Sequence, residues 1–335
     1  MIEVKGYEYK SKLNLIDTEL AIKLVKDKFE TVLAKNLNLL RVTAPLFVLA
    51  NSGLNDDLNG VEVPVGFNVK TETEPLAIVH SLAKWKRMAL DRYCIQNGNG
   101  LYTDMNAIRK DEVLDNLHSI YVDQWDWEKV ISKDDRNFDF LKATVNSIYE
   151  ALKETSSFIC SIYPDLENYF SDDIHFITTS ELEEMYPDFN AKERENAICK
   201  KYGAVFLLQI GGVLKSGSPA HDLRAPDYDD WDLNGDILIN YPPLNCAVEL
   251  SSMGIRVTKD SLVKQLTIKN KLDKLKYAYH KMIIEEKLPL TIGGGIGQSR
   301  LCLVMLNKIH IGEVQASYWD KDNMDYAIKN NITIL

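Results

Sequence analysis

Four glycines fall within five positions of the stretch TIGGGIGQSRL, residues 291–301, and this stretch restricts the fold more than any other. The apolar run LPLTI (288–292) predicts a strand entering it. The unbroken apolar run LCLVML (301–306) predicts a buried helix leaving it. Glycine permits positive φ and lets a flat ligand lie against the main chain, so the stretch reads as a strand-to-helix turn. Arg300 then opens the helix, where a rigid guanidinium stacks on a ring or forks onto phosphate. Strand, glycine turn, arginine and helix together point to a nucleotide site, with a purely structural turn as the plain alternative. Neither common nucleotide fingerprint fits. A dinucleotide turn needs a third glycine where Gln298 stands, and the Gly-Lys-Ser/Thr of a phosphate loop occurs nowhere.

The balance of the 335 residues, 45% hydrophobic and 26% charged, is that of a soluble globular chain. Without repeats, low-complexity tracts or a linker, a single domain over residues 1–335 is expected. A net charge of -10 opposes a main role in gripping a phosphate backbone, so no nucleic-acid partner is expected. No apolar run nears the roughly 18 residues of a membrane span. The opening MIEVKG has no signal-peptide core, and the cytoplasm is the expected compartment. The five cysteines are scattered without a Cys-x-x-Cys pair, and the six histidines lack metal-pair spacing, so disulfides and structural zinc are not expected.

Along the chain, residues 17–40 predict a long amphipathic helix capped by Asp17, with Leu20, Leu24, Phe29, Leu33 and Leu37 inward. Residues 40–49 predict a strand that Pro45 confines to an edge or interface. A loop rich in turn formers follows over 51–60, holding Asp56 and Asp57. After a short strand over 75–79, residues 80–90 predict a helix capped by Ser81. Its apolar face is Leu82, Trp85 and Ala89, with Lys84 and Arg87 toward solvent and Lys86 against the core. A lysine there requires an anionic partner, unless its stem covers core and its ammonium reaches out to water.

Residues 101–109 predict a strand ending in Arg109, and 118–128 alternate with a period of two. Tyr121, Trp125 and Trp127 mark one face as core, and the other turns Gln124, Asp126 and Glu128 toward a polar space. Helices are predicted over 138–163 and 191–201, the latter ended by Gly203, before a buried strand over 204–210. The densest polar cluster, HDLRAPDYDDW, spans 221–231 and carries Arg224 and Asp229. Strands over 235–239 and 247–253 place Asp236 and Glu249 among apolar neighbours, where acids need a cation or metal. A long helix over 261–286 completes the reading.

Arginines and a metal over a triphosphate suit nucleotidyl transfer, where charge neutralisation and positioning do most of the catalysis. Asp126 and Asp229 suit a substrate amine, and Arg224 or Lys86 its carboxylate, so an amino acid activated by ATP is the natural substrate. No Ser-His-Asp order or reactive-cysteine context favours a hydrolase.

The segments HSLAKWKR (80–87), GLYT (100–103), 118–128, RAPDYDDW (224–231), LNGD (233–236), ELSSMGIR (249–256) and 291–301 closely resemble the ammonia-dependent asparagine synthetases, or aspartate–ammonia ligases. The resemblance implies an α+β fold like the class II aminoacyl-tRNA synthetase catalytic domain: a mainly antiparallel sheet flanked by helices, working as a homodimer through a proline-bearing strand that fits Pro45. It implies ATP and Mg2+ acting on L-aspartate and ammonia through a β-aspartyl-adenylate. Arg109 would meet the α-phosphate, and Gly293, Gly294, Gly295, Gly297 and Arg300 would hold ATP. Glu249 and Asp236 would hold metal, and Ser252, three positions after Glu249, fits a phosphate or substrate contact. Ser81, Lys86, Gln124, Asp126, Arg224 and Asp229 would contact aspartate, and Asp56 would position ammonia. The loop carrying Asp56 reads NDDLNG (55–60), departing from the family's QDNLSG, and residues 215–221 and 232–233 also differ. Ile2 stands where a glutamine-using synthetase exposes a cysteine, so free ammonia is the expected donor. Two other readings remain open: a tRNA-charging enzyme of the same fold and a silent amino-acid or AMP-binding relative.

Overall fold

The computed structural model describes residues 9–58, 62–217 and 220–335. The opening hexapeptide, the end of the loop over 51–60 and part of 215–221 lie outside them. In chain order the helices and strands are α1 (Leu15–Leu37), β1 (Leu39–Arg41), β2 (Phe47–Leu49), β3 (Gly66–Phe67), β4 (Leu76–Ile78), α2 (Ala83–Arg92), β5 (Gly100–Ile108) and β6 (Tyr121–Val130). They continue with α3 (Phe138–Ile162), β7 (His175–Thr178), α4 (Thr179–Met185), α5 (Ala191–Tyr202), β8 (Ala204–Leu208), β9 (Asp229–Tyr241) and β10 (Cys246–Arg256). The last are α6 (Lys259–Ile268), α7 (Ala278–Ile284), β11 (Thr291–Gly297), α8 (Gln298–Met305) and α9 (Lys321–Lys329).

Among the described residues, eight strands form one sheet in the order β1-β5-β6-β11-β10-β9-β8-β7. Only its two edge pairs, β1–β5 and β7–β8, are parallel, so the expected antiparallel sheet flanked by helices is what forms. One face is the main core. The alternation in β6 sends Trp125 and Trp127 into it fully buried, against α1 and α3, whose Phe29, Leu33, Val145 and Ile148 are equally inaccessible. The other face carries α2 over β5, β6 and β11 and α5 over β8, β9 and β10.

Several sequence expectations change. Asn14, not Asp17, caps α1, its side chain accepting from the Asp17 amide. Leu20 is 55% exposed, and the buried stripe runs through Ala21, Val25 and Val32 as well as Phe29, Leu33 and Leu37. The strand expected over 40–49 is two strands in two sheets, β1 beside β5 and β2 beside β4, with Pro45 in the connection where a missing amide costs no ladder bond. The single helix expected over 261–286 is broken. After α6, Asn270 takes φ 52, a 3-10 turn follows over Leu272–Lys276, and Tyr277 is extended before α7.

The glycine stretch is itself a strand. β11 lies between β6 and β10, and none of its glycines has positive φ. Glycine is required there by close approach. A Cβ on Gly293 would stand 2.0 Å from a Glu128 carboxylate oxygen, on Gly294 2.6 Å from Met253 Cβ, and on Gly295 2.6 Å from Asp126 Oδ1 and Gln124 Oε1. The polar side chains of β6 thus lean over bare β11 backbone. The helix leaving the strand is buried as expected, Leu301 through Met305 being inaccessible or nearly so.

Candidate active site

On the α2–α5 face a cavity of about 360 Å3 is lined by fourteen of the site residues singled out from sequence: Asp56, Ser81, Lys86, Arg109, Gln124, Asp126, Arg224, Asp229, Glu249, Ser252, Gly294, Gly295, Gly297 and Arg300. Gly293 and Asp236 are set back from it. Gly293 lies against Glu128 and Arg256, and Asp236 is covered by its ion pair with Arg224.

Lys86 is buried as its helical position predicted. Its ammonium donates to the Gly294 carbonyl at 2.9 Å and stands 3.4 Å from Asp126 Oδ2. Burial, with Arg256 nearby, lowers its pKa below the ordinary lysine range, while Asp126 and Glu128 oppose the shift. Lys84 and Arg87, expected in solvent, are only 2% exposed. Lys84 pairs with Asp227 at 2.9 Å, and Arg87 donates to the carbonyls of Val257 (2.8 Å) and Pro289 (2.9 Å). A one-face rule fails for α2 because Asp227, just before β9, and the chain after β10 cover its second face. Ser81 does not cap α2, which has no side-chain cap. Its hydroxyl donates to Asp56 Oδ2 at 2.8 Å, and Asp56 Oδ1 accepts from the Leu58 amide.

Beneath the cavity runs a buried charge chain. Arg256 Nη2 meets Glu128 at 2.7 Å and Nη1 meets Asp229, while Thr291 Oγ1 donates to Glu128 at 2.7 Å. Burial raises the Glu128 pKa, but Arg256 outweighs it and holds the carboxyl below its usual range. For Asp229 burial wins over Arg256, and Glu128 adds to it, so this carboxyl is pushed up. Asp229 therefore reaches the cavity already engaged to a guanidinium. Arg256 was not among the site residues expected from sequence; its signal was a second charge, after Glu249, at the end of a largely apolar strand.

Arg109 follows directly on β5. It donates to the His80 carbonyl at 3.2 Å, and its buried Nε has no partner among the described residues. Arg300, in the first turn of α8, donates through Nη1 to the Glu249 carbonyl at 2.9 Å. Burial pushes the Asp236 carboxyl well up, Arg224 opposes and Glu249 adds, while Asp236 Oδ1 has no partner among the described residues. Those residues contain no cluster of three or more His, Cys, Asp or Glu placed to hold a metal ion. Two neighbouring carboxylates with one free oxygen nevertheless suit Mg2+, which uses one or two carboxylates and takes its other ligands from phosphate and water. Among the described residues no helix is long and apolar enough to cross a membrane. The five cysteines are all free.

The cavity thus faces bare strand backbone with four arginines (Arg109, Arg224, Arg256 and Arg300), a buried lysine and several carboxylates. Such a surface neutralises phosphate and orients a zwitterion. Among solved structures, the chain superposes on asparaginyl-tRNA synthetase from Pyrococcus horikoshii complexed with asparaginyl-adenylate with a TM-score of 0.65, at 12% identity over 89% of this chain and 68% of that one. Aspartyl-tRNA synthetase from Entamoeba histolytica gives 0.62 at 15% identity, over 91% and 59%. These likenesses establish the class II synthetase-like fold. An aspartate–ammonia ligase of Clostridium perfringens (strain SM101 / Type A) is 60% identical over 329 residues, 98% of each chain. One of Fusobacterium nucleatum subsp. nucleatum is 58% identical over 327 residues, 98% of this chain and 99% of that one. The family model described as aspartate-ammonia ligase matches residues 16–331. With this match running nearly end to end and relatives sharing more than half of its residues, the chain belongs to the aspartate-ammonia ligase family.

Proposed function

We propose that this chain makes L-asparagine from L-aspartate, free ammonia and ATP, releasing AMP and pyrophosphate. The observation that carries the reading is the joint lining of one cavity by Lys86, Arg109, Arg224, Arg300 and the bare backbone of Gly294 and Gly295, in a chain of this family. The β-carboxylate of aspartate attacks the α-phosphorus of ATP and displaces pyrophosphate. Ammonia then attacks the β-carbonyl carbon of the aspartyl-adenylate, AMP leaves, and the new amine sheds a proton.

Arg224 and Lys86 take the carboxylates of aspartate, with Ser81, Gln124 and Ser252 beside them. Asp126 and Asp229 take its amine. Arg109 bears on the α-phosphate, and the β11 glycines with Arg300 bear on the nucleotide. Asp56 positions ammonia. Glu249 and Asp236 would hold Mg2+, which supplies positive charge to the phosphates. The free Oδ1 of Asp236 supports that role, and the set-back position of Asp236 means that Arg224 would have to swing aside. The protein acts as a cytoplasmic homodimer. Supporting the dimer are the half-exposed apolar side chains around Pro45: Leu40 at 58%, Leu46 at 48% and Phe47 at 44%.

The deciding experiment incubates purified protein with aspartate, 15N-ammonium, ATP and magnesium. Labelled asparagine, AMP and pyrophosphate in equal amounts are expected. ADP in place of AMP, or glutamine as the sole nitrogen donor, overturns the reading. Transfer of the amino acid to tRNA instead moves the protein to the tRNA-charging class.

A further inference from the structure

Arg224 lies in the connection from β8 to β9, residues 209–228, where none of the described residues is in a helix or strand. A connection of that length inside a folded domain is commonly functional. From 215 to 224 its described residues are exposed or half-buried, with one exception. The side chain of His221 is inaccessible to solvent, and its Nε2 lies 3.1 Å from Glu195 Oε1 on α5. The ionised carboxylate only accepts, so Nε2 carries the hydrogen that bonds it. We propose that His221 is a positioning residue: its bond to Glu195 docks the connection on α5 and sets Arg224 at the aspartate end of the cavity. The proposal rests on the function above, in which Arg224 takes a carboxylate of aspartate.

The platform offered by α5 is fixed on three sides. A capping box between Asn190 and Glu193 closes its first turn. Ile198 and Cys199 are fully buried in one cluster with Val205 and Leu207 of β8. Asn196, next to Glu195, accepts from the Ala247 amide at 2.7 Å, in the strand that carries Glu249. Burial works against the charge on Glu195, but His221 and Lys192, the latter at 2.9 Å, outweigh it and hold the carboxyl below its usual range. His221 therefore donates to a charged acceptor, which makes the stronger kind of hydrogen bond.

Arg224 needs such an anchor because its own tie to β9 runs through the group that binds substrate. That tie is the ion pair of its guanidinium with Asp236. Once the guanidinium turns to aspartate, or Asp236 to Mg2+, the tie is gone. On the C-terminal side the backbone stays held, since Trp231 Nε1 donates to the Ala225 carbonyl at 3.3 Å and Gln265 Nε2 to that of Pro226 at 2.9 Å. On the N-terminal side Asp222 and Leu223 are exposed, and His221 is the residue that holds. Three residues of chain span at most about 10 Å, so a fixed His221 restricts where the Arg224 backbone can go. An arginine whose guanidinium alone must move loses less conformational freedom on binding.

Two pairs of variants test the bridge, read by aspartate-dependent exchange of pyrophosphate into ATP. His221→Leu removes the donor and His221→Gln keeps an N–H; Glu195→Leu removes the acceptor and Glu195→Gln keeps an oxygen. Either Leu variant is expected to raise the KM for aspartate about tenfold, the size of effect that a small misplacement of a binding group brings. The KM for ATP should stay near wild type and the melting temperature within a few degrees. The Gln variants should recover most of the loss, and the double Leu variant should be no worse than either single one. An unchanged aspartate KM in both Leu variants overturns the proposal, as do Gln variants as impaired as the Leu ones. Equal rises in both KM values with lowered melting overturn it too, and make His221 ordinary packing. If His221→Leu does not fold, the Glu195 pair decides. A wild-type aspartate KM in Arg224→Ala indicts the role of Arg224, and the proposal falls with it. A wild-type protein without exchange indicts the reaction itself, so the failures are distinct.

Discussion

Asp123 Oδ1, on β6, accepts from both the backbone amide of Ser299 at 3.0 Å and its hydroxyl at 2.6 Å, and so caps a helix that lacks a cap of its own. Gly297 stands at the N-cap position of α8 with no side chain to offer. The carboxylate comes from the neighbouring strand, with Gln315 bonding the same oxygen and Lys26 the other at 3.0 Å. Burial works against the charge on Lys26, but Asp123 prevails and raises its pKa above the usual lysine range. The sheet thereby fixes the helix that carries Arg300.

Asp123→Asn keeps an oxygen for Ser299 but loses the charge at the helix start. A loss of about 1–2 kcal/mol in unfolding free energy is expected, as for other helix caps. Urea denaturation measures it. The KM for ATP should rise several-fold while that for aspartate stays near wild type; equal rises in both would mean that Asp123 supports the whole cavity and not α8.

Gly295→Ala and Gly297→Ala separate close approach from backbone freedom. A Cβ at Gly295 meets Asp126 and Gln124 at 2.6 Å, whereas at Gly297 the nearest atom is Arg300 Cβ at 3.4 Å. Overpacking typically costs about 1–3 kcal/mol, and at Gly295 it pushes aside the two β6 side chains that line the cavity. Gly295→Ala is therefore expected to lose both stability and aspartate affinity, and Gly297→Ala to keep both. Thermal melts and aspartate titrations of the two variants, read side by side, decide the point.

Much of this site was readable in the chain because its information is local. Alternation over 118–128 separated Trp125 and Trp127 from Gln124 and Asp126, and helical spacing put Lys86 inside. What escaped was set by distant partners. Glycines signal turns locally, yet Gly293 and Gly295 of β11 are demanded by side chains of β6, Glu128 and Asp126, and Gly294 by Met253 of β10. Lys84 and Arg87 looked solvated because nothing near them in sequence announces Asp227 or the carbonyls of Val257 and Pro289. The helix expected over 261–286 breaks where Lys274 reaches Asp57 and Asp227, residues far off in the chain. The buried charge chain through Arg256 is of the same kind.

That charge chain gives a pH dependence with a definite sign. Glu128 has a lower pKa folded than unfolded, so its pair with Arg256 contributes fully above the unfolded value near 4.5 and is lost as pH falls through the folded value. Asp229 works the other way, since a raised carboxyl binds its proton more readily in the folded state. Glu128→Gln isolates the first effect. It leaves Arg256 short of a buried counter-charge, so a loss of about 3–5 kcal/mol at pH 7 is expected. Its stability should fall less steeply than the wild type's below pH ~4.5. Urea unfolding at pH 7 and pH 4 checks both, and parallel acid limbs would rule out Glu128 as their source.

Arg300→Ala tests what the first turn of α8 is for. Among the described residues this side chain makes one hydrogen bond, to the Glu249 carbonyl at 2.9 Å, and otherwise faces the cavity. Loss of that bond should lower stability by only about 1 kcal/mol. Loss of a guanidinium from a reacting phosphate is of another order, at least ~100-fold in rate by analogy with removal of one transition-state charge contact. Adenylation, followed by aspartate-dependent exchange of pyrophosphate into ATP, should fall by that factor. The melting temperature should stay within a few degrees of wild type. Lysine at this position should recover only part of the loss, because a point charge cannot fork onto two oxygens or stack on a ring. A normal exchange rate in Arg300→Ala, with melting lowered, would instead make the arginine a strut between α8 and β10 and leave the nucleotide to the strand backbone and Arg109.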